Sequence, residues 1–271
     1  MYSIAASTRP AVGMGTSTTP GNNTYGTAVT LISGANLTFD CCELVVCVNN
    51  AAISATARDT VAALLVDPAG GASFTSIADL VCGPCSGYVT ANVGFGGTIF
   101  RLPLWIKAGT SIGIATAVNS ATVTALNAFC RVNGQPSDPR TAPFIGTYID
   151  QFGVSLATSA GTTVTPGTTT DGAYALIGTT TRPLYALEFG YGINDATMTA
   201  AVCDVDIAAG DGTTNTVIIP RWPVATSAIE AVSKFPALAY TSIAANVGLY
   251  ARAQCSNTPD SANSVAIYGV G

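Results

Sequence analysis

Large apolar residues alternate with small or polar residues along several short segments of the chain. In the segment 185–193 nearly every second residue is large and apolar, and the residues between them are Ala, Glu or Gly. The same two-residue period recurs in the segments 112–118 and 247–255. Because successive side chains of an extended strand point to opposite faces, each segment is predicted to be a strand with one apolar face.

Turn-forming residues separate these segments at intervals of about eight to twelve residues, which is typical of an all-β sandwich. Examples are the dipeptides Pro20-Gly21, Gly83-Pro84 and Asn133-Gly134. The best helical pattern, in the segment 226–234, spans only about two turns and stops before a proline. The pattern therefore predicts an all-β protein.

The chain also contains two similar halves. Short motifs of the first half recur in the second half in the same order. The offset between matching motifs is 146 positions near the start of each half and falls to roughly 137 positions near its end. The matched pairs are TSTTPG at 16–21 with TTVTPG at 162–167, NNAAIS at 49–54 with NDATMT at 194–199, and DPAGG at 67–71 with AAGDG at 208–212. A period this long indicates duplication of a whole domain.

The fold class predicted is all-β, with two tandem jelly-roll or Greek-key β-sandwich domains that arose by internal duplication. We assign residues 1–139 to the first sandwich and 161–271 to the second. The linker 140–160 contains a candidate edge strand at 144–149, which would join the second sandwich. The opening segment 2–11 would do the same for the first.

Composition narrows the class of function. Hydrophobic residues make up 48% of the 271 residues and charged residues only 9%, and the net charge is −5. The chain is too apolar for a disordered protein, and no apolar run approaches the ~18 residues that span a bilayer. The basic residues are scattered, so we expect neither a membrane nor nucleic acid as a direct partner. We find no secretion signal, and we expect synthesis in the cytoplasm.

The chain has no histidine, which removes most catalytic arrangements. A Ser-His-Asp triad, a histidine general base and a histidine-ligated metal are all excluded. We assign no catalytic residues and no cofactor, and the sequence predicts a protein that is not an enzyme.

The densest acidic cluster consists of Asp204, Asp206 and Asp211. Oxygen-rich loops of sandwiches bind calcium, so these three residues are a candidate calcium site. The alternative is a solvated strand face that ends in an Asp-Gly turn, and we favour it because the first half has no matching triad. No other metal site is predicted.

Eight cysteines are divided six to two between the halves. Cys82 and Cys85 enclose Gly-Pro, as in the thioredoxin motif, but the residues that follow predict a strand or loop and no helix to stabilise a thiolate. We expect these two residues to form a local disulfide and the other cysteines to be small buried apolar residues. The uneven division argues against a disulfide framework.

The two tryptophans are the remaining candidates. Trp105 and Trp222 are either platforms that stack on sugar rings or residues that pack in a core or interface. Packing is the commoner role for tryptophan in a sandwich.

The chain resembles virion proteins of tailed bacteriophages. The resemblance is carried by the Thr-Pro-Gly motif at 19–21, the segments 48–59 and 66–71, and the closing segment 255–269. It covers most of both halves, its motifs are structural, and it implies a particle component made of β-sandwiches.

From this resemblance and the low charge we expect a capsid decoration, or cement, protein on the virion surface. It would bridge and stabilise capsomers, with the major capsid protein and sister subunits as partners, as a homotrimer. The alternatives are a receptor- or glycan-binding module of the tail or fibre and a small double jelly-roll major capsid protein.

Overall fold

The computed structural model describes residues 3–6, 16–50, 59–84, 97–118, 126–134, 145–156, 160–193, 201–227, 230–232, 237–256 and 263–271. Within these ranges every regular element is a β-strand, which confirms the all-β prediction. The helical candidate at 226–234 instead contributes to two strands. No helix in the described ranges has the length and hydropathy to cross a membrane.

The described part of the first half contains ten strands. They are β1 (Ser3–Ala6), β2 (Thr16–Thr18), β3 (Gly21–Asn22), β4 (Val29–Ile32), β5 (Glu43–Asn50), β6 (Asp59–Asp67), β7 (Thr75–Pro84), β8 (Gly97–Leu102), β9 (Ser111–Val118) and β10 (Leu126–Asn133). One sheet has the order β1-β10-β5-β8, with β2 beside β1 on the same edge of β10. The other has the order β3-β9-β6-β7, with β4 also on β9. Interleaving of early and late strands in two sheets is the jelly-roll topology.

The second half repeats this arrangement. Its strands are β11 (Ile149–Phe152), β12 (Thr162–Val164), β13 (Ala175–Thr179), β14 (Leu184–Ile193), β15 (Ala201–Gly210), β16 (Asn215–Ser227), β17 (Glu230–Val232), β18 (Ala239–Ile243), β19 (Gly248–Cys255) and β20 (Asn263–Val270). The sheets have the orders β11-β20-β14-β18, with β12 on β20, and β13-β19-β15-β16-β17. Only β17, which pairs with the end of β16, has no counterpart among the described strands of the first half.

Irregularities in strand pairing recur at matching positions of the two halves. A bulge at 30–32, where β4 meets β9, returns 146 positions later at 176–178, where β13 meets β19. The register between β6 and β7 shifts at 64–65, and that between β15 and β16 shifts 143 positions later at 207–208; the extra residue lies on β7 in the first half and on β16 in the second. A bulge shifts the register by one residue and bends the strand. The shared bulges show that the two halves have the same fold.

The strand register corrects one sequence match. Asp67 pairs with Ser111 and Gly210 pairs with Gly248, at the matching ends of β9 and β19. Asp67 therefore corresponds to Gly210, and not to Ala208. The sequence match aligned two glycine-rich turns of different length: seven residues separate β6 from β7, whereas four separate β15 from β16.

Each jelly roll has its own core, and one sheet of the second jelly roll is buried on both faces. Leu187 and Phe189 of β14 point into the second core. Ala186 of the same strand and Tyr268 of β20 belong to the core of the first jelly roll. Gly190 also faces the first jelly roll, because a Cβ at this position would clash with the carbonyl oxygen of Val81. The outer face of the β14–β20 sheet thus packs across the edge formed by β7 and β8.

Candidate binding groove at the junction of the two jelly rolls

The free edge of β7 meets β20 through one tyrosine. The phenol of Tyr268 accepts a hydrogen bond from the backbone N–H of Val81 at 2.6 Å and donates one to the carbonyl oxygen of Asp79 at 3.0 Å. Its ring lies edge-to-face on Phe100, with the ring centroids 5.6 Å apart. A side chain of the second jelly roll thus satisfies backbone groups that a neighbouring strand would otherwise satisfy.

A second side chain completes the closure of this edge. The amide of Gln151, on β11, accepts from the backbone N–H of Asp79 at 2.6 Å and donates to the Asp79 carboxylate at 3.0 Å. The same carboxylate accepts a hydrogen bond from the hydroxyl of Tyr25 at 2.6 Å. Burial and this carboxylate together raise the pKa of Tyr25. These contacts connect both jelly rolls to Asp79 of β7.

A buried glutamate lies between β14 and β8. Glu188 accepts backbone hydrogen bonds from Ala237 at 2.7 Å, Phe189 at 3.2 Å and Arg101 at 3.4 Å. Burial nevertheless raises the pKa of Glu188 to about 8. The guanidinium of Arg101 binds a second buried carboxylate, that of Glu43, at 2.9 Å. Two buried carboxylates therefore lie near one guanidinium, and the ion pair is made with Glu43.

An open groove lies at the other end of the same junction. Its volume is about 550 Å³, and its walls come from the β6–β7 hairpin, the segment after β8 and the start of β11. Most of the side chains that line it are apolar. The lining includes Ser76, Ile77, Trp105, Lys107, Tyr148 and Ile149. We call this space the junction groove.

Backbone pairing holds Trp105 at the groove. Its N–H donates to the carbonyl oxygen of Gly146 at 2.8 Å, and the N–H of Gly146 donates to the carbonyl oxygen of Pro103 at 2.8 Å. Leu104, the residue before Trp105, is buried. Trp105 remains 44% exposed, although a large apolar side chain gains free energy by burial. Trp105 is thus available to contact a ligand or another protein.

Lys107 lies on the wall of the groove and is exposed. Among the cations of the described residues, four arginines form ion pairs: Arg101, Arg182, Arg221 and Arg252. The structure gives Lys107 no ion pair with a described carboxylate. The apolar groove therefore carries one positive charge.

Trp222 lies elsewhere. It is on β16 opposite Val205, is half-buried and packs against the core of the second jelly roll. Only Trp105 of the two tryptophans lines the junction groove.

The three aspartates of the candidate calcium site do not come together. Asp206 accepts from the guanidinium of Arg252 at 2.7 Å and from the backbone N–H of Arg221 at 2.6 Å. Asp211 accepts from the backbone of its own turn, which lowers its pKa. The described residues include no group of three acidic, Cys or His side chains placed to hold a metal. Arg252 neutralises the carboxylate of Asp206, and a calcium site at these residues stays a prediction.

The structure forms a disulfide that the sequence did not predict. Cys203 on β15 and Cys255 on β19 lie opposite each other with a Cα–Cα distance of 4.0 Å and are bonded. The thiol of Cys82 is buried and donates to the carbonyl oxygen of Leu80 at 3.3 Å. Cys85 lies outside the described residues, so the Cys82–Cys85 bond stays a prediction.

Sequence reasoning missed the residues that form the junction. Glu188 looked like a solvent-facing position because it alternates with large apolar residues, and Gln151 belongs to no motif. The one available signal was in the strand of Glu188, where Ala and Gly fill the remaining positions of the second face. Small residues permit close approach of another sheet.

No protein-family model matches this sequence, and no curated protein sequence matches it significantly. Among solved structures, the chain is similar over 99% of its length to PNGF-II, with 7% identity and a TM-score of 0.34, and it spans 65% of that protein. It is similar over its whole length to 96% of PNGase F from Flavobacterium meningosepticum, with 9% identity and a TM-score of 0.35. Infectious bursal disease virus, Gx strain, matches with 9% identity and a TM-score of 0.23, over 99% of this chain and 71% of that one.

These comparisons correct the prediction that the chain is not an enzyme. PNGase F is an enzyme, a glycosylasparaginase, and it stands among the similar structures. At TM-scores of 0.23 to 0.35, however, the similarity assigns no activity, substrate or site residue to this chain.

Proposed function

We propose that this protein is a structural component of a virus particle, a capsid decoration protein that bridges neighbouring capsomers. The observation that carries the proposal is the junction itself. The outer face of the β14–β20 sheet covers the β7–β8 edge, and Tyr268 and Gln151 bond directly to the backbone of β7. Two copies of one fold thereby form a single block that exposes two different surfaces.

The composition of the chain supports this role. Only 9% of the residues are charged, so surface contacts desolvate few ions when they form. Exposed apolar side chains are also spread over both jelly rolls: Trp105 lies on the first, Ile145 on the segment between them, and Leu176, Tyr185 and Val202 on the second. A pair of joined jelly rolls with exposed apolar side chains at several positions suits contact with more than one neighbouring protein.

The partners in this proposal are the major capsid protein and sister copies of the chain, arranged as a homotrimer on the capsid surface. A closed threefold arrangement repeats one interface three times. A protein that binds the assembled shell and not its free subunits lowers the free energy of the shell by mass action.

Purified particles of the virus that encodes this chain provide the test. We expect hundreds of copies per particle by quantitative mass spectrometry, and a reconstruction should place them on the outside of the shell. Particles assembled without the chain should open at a lower temperature than complete particles. A copy number of about three to eighteen, or a position on the tail, would contradict the proposal and favour a tail protein.

A second candidate is a tail or fibre module that binds a receptor or glycan. The exposed indole of Trp105 in the junction groove favours it, because aromatic rings stack on sugars. A small major capsid protein would differ from both candidates, since it would assemble shells without another shell protein.

A further inference from the structure

The edge of β7 is closed along only part of its length. In the described chain β7 pairs with β6 on one side and with no strand on the other. Gln151 and Tyr268 bond to this free edge at Asp79 and Val81. Among the described residues, no comparable side chain bonds to the backbone of the stretch Thr75 to Ile77. An edge strand whose backbone is not covered is a template for another extended segment.

The junction groove adjoins this open stretch. Ser76 and Ile77 of β7 line it on one side, and Trp105 and Ile149 line it on others. A segment that paired with β7 here would direct every second side chain towards this apolar space. The volume of about 550 Å³ is within the range of ligand pockets and accommodates large apolar side chains.

The positive charge of Lys107 adds a requirement for the ligand that occupies the junction groove. Lys107 on the groove wall has no described carboxylate partner, although the chain carries a net charge of −5. An ammonium group beside an apolar surface attracts an acidic group on an incoming partner. A ligand that matches all three features has an extended backbone to pair with the edge of β7, a large apolar side chain to fill the junction groove, and a carboxylate to bind Lys107.

We propose that the junction groove binds an extended peptide segment of a partner protein, which adds as a strand to the open end of β7. Its backbone pairs with Thr75 to Ile77, a large apolar side chain packs against Trp105, and an acidic side chain binds Lys107. This is recognition by strand addition, in which main-chain hydrogen bonds supply affinity and pockets supply specificity. The proposal stands on the groove and does not depend on a role in a virus particle.

The groove suits a peptide better than a sugar. Sugar hydroxyls need several converging polar groups, whereas the lining is mostly apolar. The hydroxyl of Ser76 already donates to Asp79 at 3.3 Å, and Thr110 is buried. The strand edge beside the groove can form main-chain hydrogen bonds with an extended peptide, whereas a sugar has no peptide backbone to pair with it.

The test selects a ribosome-displayed library of random linear peptides on the full chain. We expect enriched peptides in which apolar residues alternate and an acidic residue is present. Each enriched peptide is then synthesised with backbone N-methyl groups on alternate residues. One methylated series should lose binding and the other should keep it, because only every second N–H of an added strand faces β7.

Variants locate the site. Trp105→Ala should weaken binding of the selected peptides by about tenfold or more, as for other buried aromatic anchors. Lys107→Glu should weaken it by about fivefold at low salt and less at high salt, whereas Lys107→Arg should keep it. Leu176→Ala, which removes an apolar side chain that is 52% exposed on the second jelly roll, is the matched control and should bind as the unchanged chain does.

Three results would overturn the proposal. The first is a library that enriches equally on the chain and on Trp105→Ala, with both proteins shown to be folded by their melting temperatures. The second is peptide binding that neither N-methylated series reduces. The third is an oligosaccharide panel that binds at Trp105 while no peptide does, which would assign the groove to glycans. Lys107→Glu changes only an exposed side chain, so the test remains decisive if Trp105→Ala fails to fold.

Discussion

Tyr268, on the last strand of the chain, makes two hydrogen bonds to the edge of β7, and one of them is to the backbone N–H of Val81. The two residues are 187 positions apart and belong to different jelly rolls. Both are fully buried. The contact therefore couples the final strand of the second jelly roll to the stability of the first.

Removing the hydroxyl in Tyr268→Phe leaves the buried N–H of Val81 and the carbonyl group of the half-buried Asp79 without this partner. We expect the free energy of unfolding to fall by about 2 to 3 kcal/mol, because a polar group that is buried without a hydrogen-bond partner destabilises the folded state by its full desolvation free energy. Urea denaturation followed by fluorescence measures it. Tyr250→Phe is the control, because Tyr250 is half-buried and its ring contact with Tyr174 survives the change. Equal losses in the two variants would contradict the coupling.

Glu188 predicts a dependence of stability on pH. Its pKa is raised from an ordinary 4.5 to about 8 in the folded chain, so between these values the folded state holds a proton that the unfolded state has lost. Stability is therefore highest below about pH 5 and falls as the pH rises towards 8, by about 1 kcal/mol per pH unit from this group.

The variant Glu188→Gln tests this assignment. It keeps an oxygen for the N–H of Ala237 and has no charge to bury. Denaturation curves from pH 5 to 8 should show a smaller decline in unfolding free energy for the variant than for the unchanged chain. The same slope in both proteins would show that another group titrates.

Several strands were predictable because they bury one face and leave the other more exposed. Leu249, Ala251 and Ala253 alternate with more exposed residues, and β19 shows that alternation in its burial. The strand 112–118 was also predicted, but every residue of β9 is buried. Its small residue Gly113 allows Phe74 to cover the outer face, since a Cβ there would lie 2.7 Å from that ring.

The junction could not be predicted in the same way. Two-residue periodicity reports a single buried face, and β14 buries its second face only because another jelly roll covers it. Glu188 therefore followed a solvent-facing pattern although it is buried. The position of Lys107 beside β7 depends on how the segment after β8 packs within the first jelly roll, which no local pattern records. Trp105 was the one groove residue that its chemistry singled out.

The disulfide predicts a redox-dependent stability of the second jelly roll. Cys203 and Cys255 are 52 positions apart, and closing such a loop in the unfolded chain is worth about 4 kcal/mol in the chain-entropy model. We expect a reductant, or the double change Cys203→Ala with Cys255→Ala, to lower the melting temperature in calorimetry. Cys42→Ser, at a half-buried thiol outside the disulfide, should have little effect. Unchanged melting in reductant would contradict the bond.

Arg252 is predicted to stabilise the second jelly roll by neutralising Asp206. The carboxylate is buried and lies 2.7 Å from the guanidinium, so Arg252→Met leaves a buried charge with one backbone donor. We expect a loss of about 2 kcal/mol, because Arg252 itself is partly exposed and a fully buried pair costs more to break. Arg182→Met removes the exposed partner of Asp150 and should cost less than about 1 kcal/mol.

The double variant Arg252→Met with Asp206→Asn separates charge from packing. It removes the buried carboxylate that Arg252→Met leaves without its guanidinium, whereas Asp171, the other carboxylate bound by Arg252, keeps Arg221 as a partner. Urea denaturation of the double variant should therefore show that most of the stability lost in the single variant is regained. The expected coupling between the two positions is therefore large and favourable. If the double variant is as unstable as the sum of the single variants, the contribution of Arg252 comes from its stacking on Tyr174, where the guanidinium lies 4.7 Å from the ring centroid, and the charge argument is wrong.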